Sequence, residues 1–343
     1  MEKNIQRRKF IKNATLAGIS IGLLNKVSFA HTSISGKTAA GKRVGIIGLD
    51  TSHSIAFVNS LNADGIGDKY KGYRVVAAYP RGSYEIKSSY ERIPDFTERV
   101  KAKGVEIVDS IQSLLQKVDV VLLETNDGRM HREQALEVIK AGKPMFIDKP
   151  IANSLLEAHD IFAAARKNNV PVFSSSSLRF SKGIQEIRNG KIGKVTGADV
   201  FSPSPLEPHH TDFYWYGIHG VEMLFTVMGP GCESVTRFYT PEMDVVVGKW
   251  KDGRIGTFRG IREPEKARSY GGNAYGEKGS TLVDGKYDYN LLLAQLINFF
   301  ETGKPPVPED ETLDICAFID ASQKSRKKNG KTVKLSDFYK KIK

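Results

Sequence analysis

The chain has 343 residues, a formal net charge of +12 and two cysteines. One hydrophobic core rarely serves more than about 250 residues, so two domains are expected. Residues 1–30 hold six Lys or Arg and one Glu and so supply +5 of the charge. The remaining basic residues are scattered and not interleaved with aromatic residues, which argues against nucleic-acid binding.

The N-terminus carries an export pattern. In QRRKFIKNATLAGISIGLLNKVSFAHT, Arg7 and Arg8 precede an apolar run over residues 14–24 and a small-x-small site that ends at Ala30. This order predicts a twin-arginine signal peptide over residues 1–30, followed by a linker over 31–41. The apolar run is too short to cross about 30 Å of hydrocarbon. We therefore expect a periplasmic protein with no membrane attachment once the signal is removed.

Residues 42–175 alternate between apolar β-type runs and helical patterns. The predicted strands cover residues 44–47, 73–79, 118–123, 144–147 and 170–173. The predicted helices cover residues 55–61, 96–103, 111–116, 133–141 and 155–167. Such alternation predicts a Rossmann-type, doubly wound parallel sheet.

A different texture begins near residue 176. Longer strands follow one another over residues 197–201, 234–239, 244–249 and 256–259, with one helix predicted over 217–228. This order predicts an α+β domain over residues 176–290 with a large, mainly antiparallel sheet. Residues 291–343 are predicted as a helical tail that packs back on the first domain. The cysteines, Cys232 and Cys316, fit no metal spacing and are expected to be separate buried residues, with a disulfide between them as the alternative in an oxidising compartment.

The stretch RVGIIGLDTSH begins like a dinucleotide fingerprint and then departs from it. A G-x-G-x-x-G loop needs its second glycine for close approach to the pyrophosphate, which rests on a helix N-terminus. Here the three positions are Gly48, Asp50 and His53. A carboxylate at the second position is unfavourable beside phosphates unless it turns away. Alternatively, Asp50, Thr51 or Ser52 caps the helix and the fold is retained without the fingerprint.

The end of the second predicted strand bears on cofactor choice. An acidic residue at this position would bind the ribose 2′-hydroxyl of NAD, but VVAAYPRGS offers Arg81 and no acid. If a nucleotide binds, Arg81 favours the 2′-phosphate of NADP. The alternative is a surface arginine in a turn.

The stretch ETNDGRMHREQALEVIKAGKPMFIDKP carries a more specific signal. Its order of strand, Thr-Asn, His on a helix, Ala-Gly-Lys-Pro, strand and Asp-Lys-Pro resembles the glucose-fructose oxidoreductase and inositol dehydrogenase (Gfo/Idh/MocA) family. SSSSLRF, NGKIGKV, YGIHGVEMLFTVMG and LINFFETGKPPVP extend the resemblance over nearly all of residues 42–335. The resemblance implies a nucleotide-binding domain, an antiparallel-sheet domain whose face meets the nicotinamide, and sugars, polyols or their acids as substrates.

The resemblance also implies roles for individual residues. Lys149 matches the family's lysine that binds the reacting hydroxyl, and His219 matches its general base. Trp215 stands where the family has an aspartate, and Asp212, one turn earlier, is the candidate replacement. Arg179 joins Asp212 and Trp215 as a candidate substrate residue. The expected cofactor-binding residues are Gly48, Asp50, Thr51, Ser52, His53, Arg81, Thr125, Asn126, His131 and Lys149, with His131 in a structural role.

A metal site is a weaker expectation. Carboxylates and imidazoles suit zinc or manganese, and the sequence offers Glu207, His209 and His210 as candidates. EPHH lacks a standard ligand spacing, so no metal is predicted.

Three functions remain open from the sequence. The first is an exported NAD(P)-dependent oxidoreductase of a carbohydrate hydroxyl, with a tightly held NADP or NAD and a dimeric or tetrameric assembly. The second is a redox-silent lyase or hydratase of keto sugars, with or without a metal, which explains the altered phosphate loop better. The third is a non-catalytic sugar-binding protein, which retention of Lys149 and His219 disfavours.

Overall fold

The structure is a computed structural model that describes residues 43–263, 265, 269–340 and 342. The predicted signal peptide and linker lie outside the described residues. Six parallel strands form the first sheet in the order β3-β2-β1-β4-β5-β6. They are β1 Arg43–Ile47, β2 Arg74–Tyr79, β3 Glu106–Ile107, β4 Val120–Leu123, β5 Met145–Asp148 and β6 Val172–Ser175.

Helices connect these strands and cover both faces of the sheet. They are α1 Ser52–Leu61, α2 Lys87–Tyr90, α3 Ile93–Lys101, α4 Ile111–Leu115, α5 Gly128–Lys140 and α6 Leu155–Asn168. Strands β4, β5 and the edge strand β6 are buried at every position, as expected for a parallel sheet covered on both sides. The predicted doubly wound parallel sheet is confirmed.

The second sheet has seven strands in the order β12-β11-β7-β10-β9-β8-β13. Its strands are β7 Val195–Pro203, β8 Cys232–Tyr239, β9 Met243–Trp250, β10 Ile255–Ile261, β11 Gly271–Gly276, β12 Gly279–Asp284 and β13 Val333–Lys334. Neighbouring strands are antiparallel except β7 and β10, which run parallel. The prediction of a mainly antiparallel second sheet is confirmed.

The remaining helices join the two sheets. They are α7 Lys182–Arg188, α8 Asp212–Trp215, α9 Ile218–Met228, α10 Tyr289–Thr302, α11 Glu309–Lys327 and α12 Ser336–Tyr339. Every residue of α9 is buried. The apolar face of α10 packs with Phe57, Phe146 and Phe173 of the first domain, whereas α11 contacts both α6 and β8. The C-terminal tail thus packs on both domains.

Two further features concern the whole described chain. Cys232 and Cys316 are buried and free. None of the helices among the described residues is long and apolar enough to cross a membrane.

Candidate active site

The main cleft opens at the carboxyl edge of the parallel sheet. Strand order reverses between β1 and β4, and such a switch point is where open α/β sheets bind ligands. A cavity of about 330 Å³ lies here, between the strand ends and the second domain. It is lined by Thr51, Ser52, His53, Ser88, Arg92, Asn126, Lys149, Ser177, Leu178, Pro205, Trp215, Tyr216, His219, Tyr270, Tyr287 and Tyr289.

The loop after β1 keeps part of a phosphate-binding geometry. Gly48 has φ +91°, and a Cβ there would overlap the Thr125 backbone, so only glycine fits. Thr51 caps α1, its side chain accepting a hydrogen bond from the His53 N–H at 3.4 Å. The first residue of the helix, Ser52, is exposed at the cavity. This helix N-terminus can receive an anion.

Asp50 bridges the strand-end loops from a fully buried position. Its Oδ2 accepts a hydrogen bond from the Ser89 hydroxyl at 2.5 Å, and its Oδ1 accepts one from the Asn126 N–H at 3.0 Å. A Cβ at Gly82 would overlap Asp50 Oδ2, so the loop after β2 packs directly on the carboxyl. Burial raises the pKa of Asp50 to about 6, against the effect of these hydrogen bonds.

An ion-pair cluster also joins these loops. Arg129 contacts Glu85 at 2.8 Å and Asp127 at 2.6 Å, linking the loop after β2 to the start of α5. Beyond this junction lies a second cavity of about 230 Å³, lined in part by Tyr79 and Arg81. Arg81 is exposed, and its guanidinium lies over the Tyr84 ring. Gly82, which packs on the Asp50 carboxyl, directly follows Arg81 of this smaller cavity.

Lys149 follows the last residue of β5 and reaches the main cavity. Only 6% of the residue is exposed, and its Nζ lies 3.6 Å from Asp148 Oδ2. A buried ammonium beside a carboxylate is held in one place and can donate hydrogen bonds to a ligand oxygen.

His219 reaches the same cavity from the second domain, at the start of α9. Its Nδ1 lies 2.8 Å from Ser176 Oγ, at the end of β6. Glu222, one turn further along α9, accepts hydrogen bonds from Ser175 Oγ at 2.6 Å and Ser176 N–H at 2.8 Å. Burial, followed by the charges of Lys149 and His53, lowers the pKa of His219. The lowered pKa favours the neutral ring. In the tautomer in which Nδ1 donates to Ser176 Oγ, Nε2 is the nitrogen that can accept a proton.

A buried group of ionisable side chains forms the floor of the cavity. His53 Nδ1 lies 2.9 Å from Asp148 Oδ2, without the alignment of a hydrogen bond. Glu124, directly after β4, is fully buried, and neither of its carboxyl oxygens has a hydrogen-bond partner. Burial, reinforced by the charge of Asp148, raises the pKa of Glu124. Burial opposes ionisation of Asp148 as well, but His53 and Lys149 hold its pKa below the ordinary value.

Aromatic side chains form the opposite wall. Tyr289, at the start of α10, packs against His53 with 4.7 Å between ring centroids and an angle of 59° between the ring planes. The hydroxyls of Tyr216 and Tyr270 lie 2.9 Å apart. Trp215 completes this wall. Flat apolar faces beside hydroxyl groups suit a ligand with both C–H surfaces and polar groups.

Several other predicted residues lie outside this cavity. His131 is fully buried, with ring nitrogens 2.7 Å from the Pro150 carbonyl and 2.6 Å from that of Thr125, so it ties two strand-end loops together. Arg179 is buried in ion pairs with Glu222 and Glu311. These contacts fix the guanidinium within the protein.

Asp212 does not lie where it would replace the family aspartate. Its carboxylate forms a two-point ion pair with Arg237, at 2.6 and 3.1 Å, and it is not among the residues lining the main cavity. Trp215 does line that cavity. The aspartate that the resemblance implies therefore has no substitute at this position.

The three weak metal candidates do not converge. His209 is exposed and pairs with Glu207 at 2.9 Å. His210 is buried, and its Nε2 accepts a hydrogen bond from the Gly128 N–H at 3.1 Å. Burial lowers the pKa of His210 to about 4.

Glu124 and Asp148 are site residues that the sequence reasoning missed. Glu124 directly follows the buried strand β4, and Asp148 is the last residue of the buried strand β5. Polar residues after an apolar run are common at surface loops, so neither stood out. The signal that would have found them is the adjacency of these two strand ends to the loop after β1.

The fold and this cleft define a protein with a Rossmann-type domain and a second domain that line one cavity together. Residues 42–176 match the model of the Gfo/Idh/MocA family, described as an oxidoreductase family with an NAD-binding Rossmann fold. The first domain therefore matches this family, and for this domain the resemblance inferred from the motifs is confirmed.

Individual relatives agree with this family. The chain is 34% identical over 108 residues to 1,5-anhydro-D-fructose reductase of Ensifer adhaerens, covering 30% of this chain and 32% of the relative. It is 24% identical over 200 residues to myo-inositol 2-dehydrogenase of Thermotoga maritima, covering 51% and 59%. The chain thus spans about a third to three fifths of the length of these curated relatives. The expected class, an NAD(P)-dependent oxidoreductase, agrees with them.

Solved structures extend the similarity of fold to the second domain. Scyllo-inositol dehydrogenase from Lactobacillus casei, solved with NAD(H) and scyllo-inositol, has a TM-score of 0.67 and 16% identity. The match covers 86% of this chain and 99% of that chain. Both domains therefore share their fold with such proteins.

Proposed function

We propose that this protein is an exported NAD(P)-dependent oxidoreductase that acts on a secondary hydroxyl of a sugar, polyol or glycoside. The observation that carries the proposal is the meeting of Lys149 and His219 in one cavity at the switch point of a Rossmann-type sheet. The two residues come from different domains, so a ligand between them touches both.

The cavity residues fit the nicotinamide half of a dinucleotide. The free N-terminus of α1 at Ser52 and the guanidinium of Arg92 would hold the pyrophosphate, and Asn126 and Lys149 flank the place of the nicotinamide. The adenosine half would extend toward Arg81 and the smaller cavity. Asp50 lies on that path, so binding requires the carboxyl to stay turned onto the loop after β2 or to move aside.

The proton chemistry follows from the site geometry. Lys149 donates a hydrogen bond to the reacting hydroxyl and holds its carbon toward the cofactor. His219, neutral and oriented by Ser176, removes the hydroxyl proton at Nε2. A bound nicotinamide supplies the hydride acceptor for the carbon. Trp215 and the tyrosines of the opposite wall pack on the sugar ring.

Export belongs to the same proposal. Twin-arginine transport carries folded proteins, and a nicotinamide cofactor must be loaded before export because the periplasm has no supply. We therefore propose a tightly held NADP or NAD that a second substrate recycles.

To test export, residues 1–35 are fused to a folded reporter. The fusion is expected in the periplasm, and replacing Arg7 and Arg8 by Lys is expected to retain it in the cytoplasm. Periplasmic reporter in cells without the twin-arginine machinery would refute the signal.

A second candidate function rests on a specific observation. The carboxyl of Asp50 occupies the second glycine position, and the buried acids Glu124 and Asp148 lie beside Lys149. These groups suit proton abstraction next to a carbonyl, as in a lyase or hydratase of keto sugars.

Single-turnover absorbance separates the two functions. Purified protein, loaded with stoichiometric NADP or NAD, is mixed with a panel of sugars, polyols and glycosides. The oxidoreductase is expected to form reduced nicotinamide, seen at its absorbance band, together with a keto product. Elimination or hydration of keto sugars with no change in that band would favour the lyase.

The proposed assembly is a homo-oligomer built on the outer face of the second sheet. Large apolar side chains are exposed on its strands, among them Phe238, Ile255 and Leu282, at 59%, 55% and 73%. Light scattering is expected to give a dimer or tetramer, and Leu282→Lys is expected to shift it toward the monomer. A monomeric wild type would contradict this assembly.

A further inference from the structure

We propose that His53, Glu124 and Asp148 bind one divalent transition-metal cation, Zn²⁺ or Mn²⁺, at the floor of the main cavity. Each of the three offers one ligand atom, and these atoms lie within 4.8 Å of one another. An imidazole nitrogen with two carboxylate oxygens is a donor set that suits these ions. The proposal goes beyond the oxidoreductase function and does not depend on it.

The unpartnered carboxyl of Glu124 points to a missing ligand. Glu124 is fully buried, and neither of its oxygens has a hydrogen-bond partner. Buried polar atoms nearly always have a partner, and a carboxyl has two oxygens to satisfy. Asp148 Oδ2 contacts His53 at 2.9 Å and Lys149 at 3.6 Å, and Asp148 Oδ1 has no hydrogen-bond partner. A cation placed among these atoms would satisfy both carboxylates.

The charges of the surrounding side chains support a cation. Asp50, Glu124 and Asp148 bring three fully buried carboxyls together, whereas Lys149 is the lysine that contacts Asp148. Asp50 is accommodated by hydrogen bonds from Ser89 and the Asn126 N–H. Glu124 has no such donors. With His53 neutral, as a metal-binding imidazole must be, the Lys149 ammonium balances only one of the two acids if both ionise.

The distances between the candidate ligand atoms of His53, Glu124 and Asp148 are close to those between ligands of one metal ion. With bond lengths of about 2.0–2.2 Å, two ligands of a tetrahedral ion lie roughly 3.5 Å apart. Side-chain movements of about 1 Å would close the group. His53 reaches this point from the first turn of α1, and Glu124 and Asp148 from the ends of two neighbouring strands, so three rigid elements hold the ligands.

Three protein ligands leave a coordination position open. His53 and Lys149 both line the main cavity, so the open position faces the space in which a substrate lies. Closed structural sites have four protein ligands, whereas sites with three bind water or a substrate oxygen. The proposed cation would therefore contact a substrate oxygen near Lys149.

The test uses the full mature chain and variants at two positions. Metal is removed with EDTA, ZnCl₂ or MnCl₂ is titrated by calorimetry, and metal per chain is counted by mass spectrometry after dialysis. Wild type is expected to bind one ion per chain and to gain thermal stability. Glu124→Gln is expected to weaken metal binding by more than 10- to 100-fold, the range typical when a residue that only hydrogen-bonds to a metal ligand is removed. Glu207→Gln, which alters a partly buried carboxylate paired with the exposed His209, is the control and is expected to bind like wild type.

The same variant tests the alternative that Glu124 is protonated and binds no metal. A glutamine has the shape of the protonated acid, so in that case Glu124→Gln keeps the stability of wild type. Metal-free wild type then gains no thermal stability from Zn²⁺ or Mn²⁺. That result would overturn the proposal, as would equal metal content in wild type and Glu124→Gln. If Glu124→Gln does not fold, the titration of metal-free wild type decides. NADP titration of the metal-free protein separates failure of this site from failure of the oxidoreductase proposal.

Discussion

The two ends of the cleft differ in how they relate to the family. At the reacting end, Lys149 and His219 occupy family positions, and hydrogen bonds from Ser175 and Ser176 to Glu222 hold α9 in place. At the nucleotide end, Asp50 replaces a glycine and joins the loops that a dinucleotide would pass. The positions that the resemblance implies are therefore kept where the proposed reaction takes place and altered where a dinucleotide would be held.

This difference shows that a fingerprint and a fold can separate. Gly48 keeps its left-handed backbone because a side chain would collide with Thr125, whatever the ligand. The second glycine serves a ligand, and it has been replaced. The residue at a ligand-contacting position of the loop can therefore differ while the helix and the sheet stay intact.

The largest expected effect lies at the reacting end. Lys149→Ala and His219→Ala are each expected to reduce turnover by about 10² or more, the usual range for loss of a general acid or base. Steady-state rates with the best substrate check this, with circular dichroism and melting temperature to confirm the fold. His209→Ala, at an exposed histidine, serves as the control and is expected to keep the wild-type rate. A near-normal rate in either variant would place the chemistry elsewhere.

The next effect concerns pH and stability at the nucleotide end. The folded chain raises the pKa of Asp50 to about 6, so Asp50 holds its proton to higher pH than in the unfolded chain. The contribution of Asp50 to the free energy of unfolding is complete below about pH 4 and is lost as the pH rises through 6. The expected loss is about 2 to 3 kcal/mol. Urea unfolding of wild type and Asp50→Asn between pH 4 and 7 measures this difference. Parallel pH curves for the two proteins would contradict it.

Cofactor binding tests whether Asp50 hinders the nucleotide. Asp50→Gly removes the carboxyl from the proposed path of the dinucleotide. The variant is therefore expected to keep activity and to bind NADP with a Kd between that of wild type and one about tenfold lower. Calorimetry with NADP and NAD gives the affinities, and Asp50→Asn separates the effect of charge from that of volume. Loss of activity without any nucleotide binding would favour the lyase.

The smallest effect concerns the 2′-phosphate. Arg81 is exposed at the smaller cavity, so an ion pair with the phosphate of NADP is worth about 1 kcal/mol, or roughly fivefold in Kd. Arg81→Ala is expected to lower the affinity for NADP and leave that for NAD unchanged. Equal losses for both nucleotides, or none, would show that Arg81 does not select the cofactor.

The sequence predicts the fold better than the site. Alternating apolar runs and helical patterns identified the central strands of both sheets, because burial on both faces leaves a strong signal in strands such as β4. The strands that were missed are the two-residue β3 and β13 and the glycine-rich hairpin of β11 and β12. Their pairing comes from neighbouring strands rather than from their own residues.

Sequence motifs identified residues of the candidate site only where a short local pattern contains the residue. Lys149 follows from Asp-Lys-Pro, and it does line the cavity. Asp212 was proposed from its spacing to Trp215, but Arg237 lies 25 residues later in the sequence and holds it. Glu124 lacks a motif altogether. Its significance arises from the packing of neighbouring strand ends, which no local pattern contains.

The most direct test of the central claim is the nucleotide carried by the exported protein. Protein purified from the periplasm is denatured, and the released small molecules are identified and counted by mass spectrometry and absorbance. We expect about one NADP or NAD per chain, in accord with loading before export. Protein that is active on sugars yet releases no nucleotide, and gives no heat with NADP or NAD, would contradict the oxidoreductase and leave a redox-silent enzyme on a dehydrogenase fold.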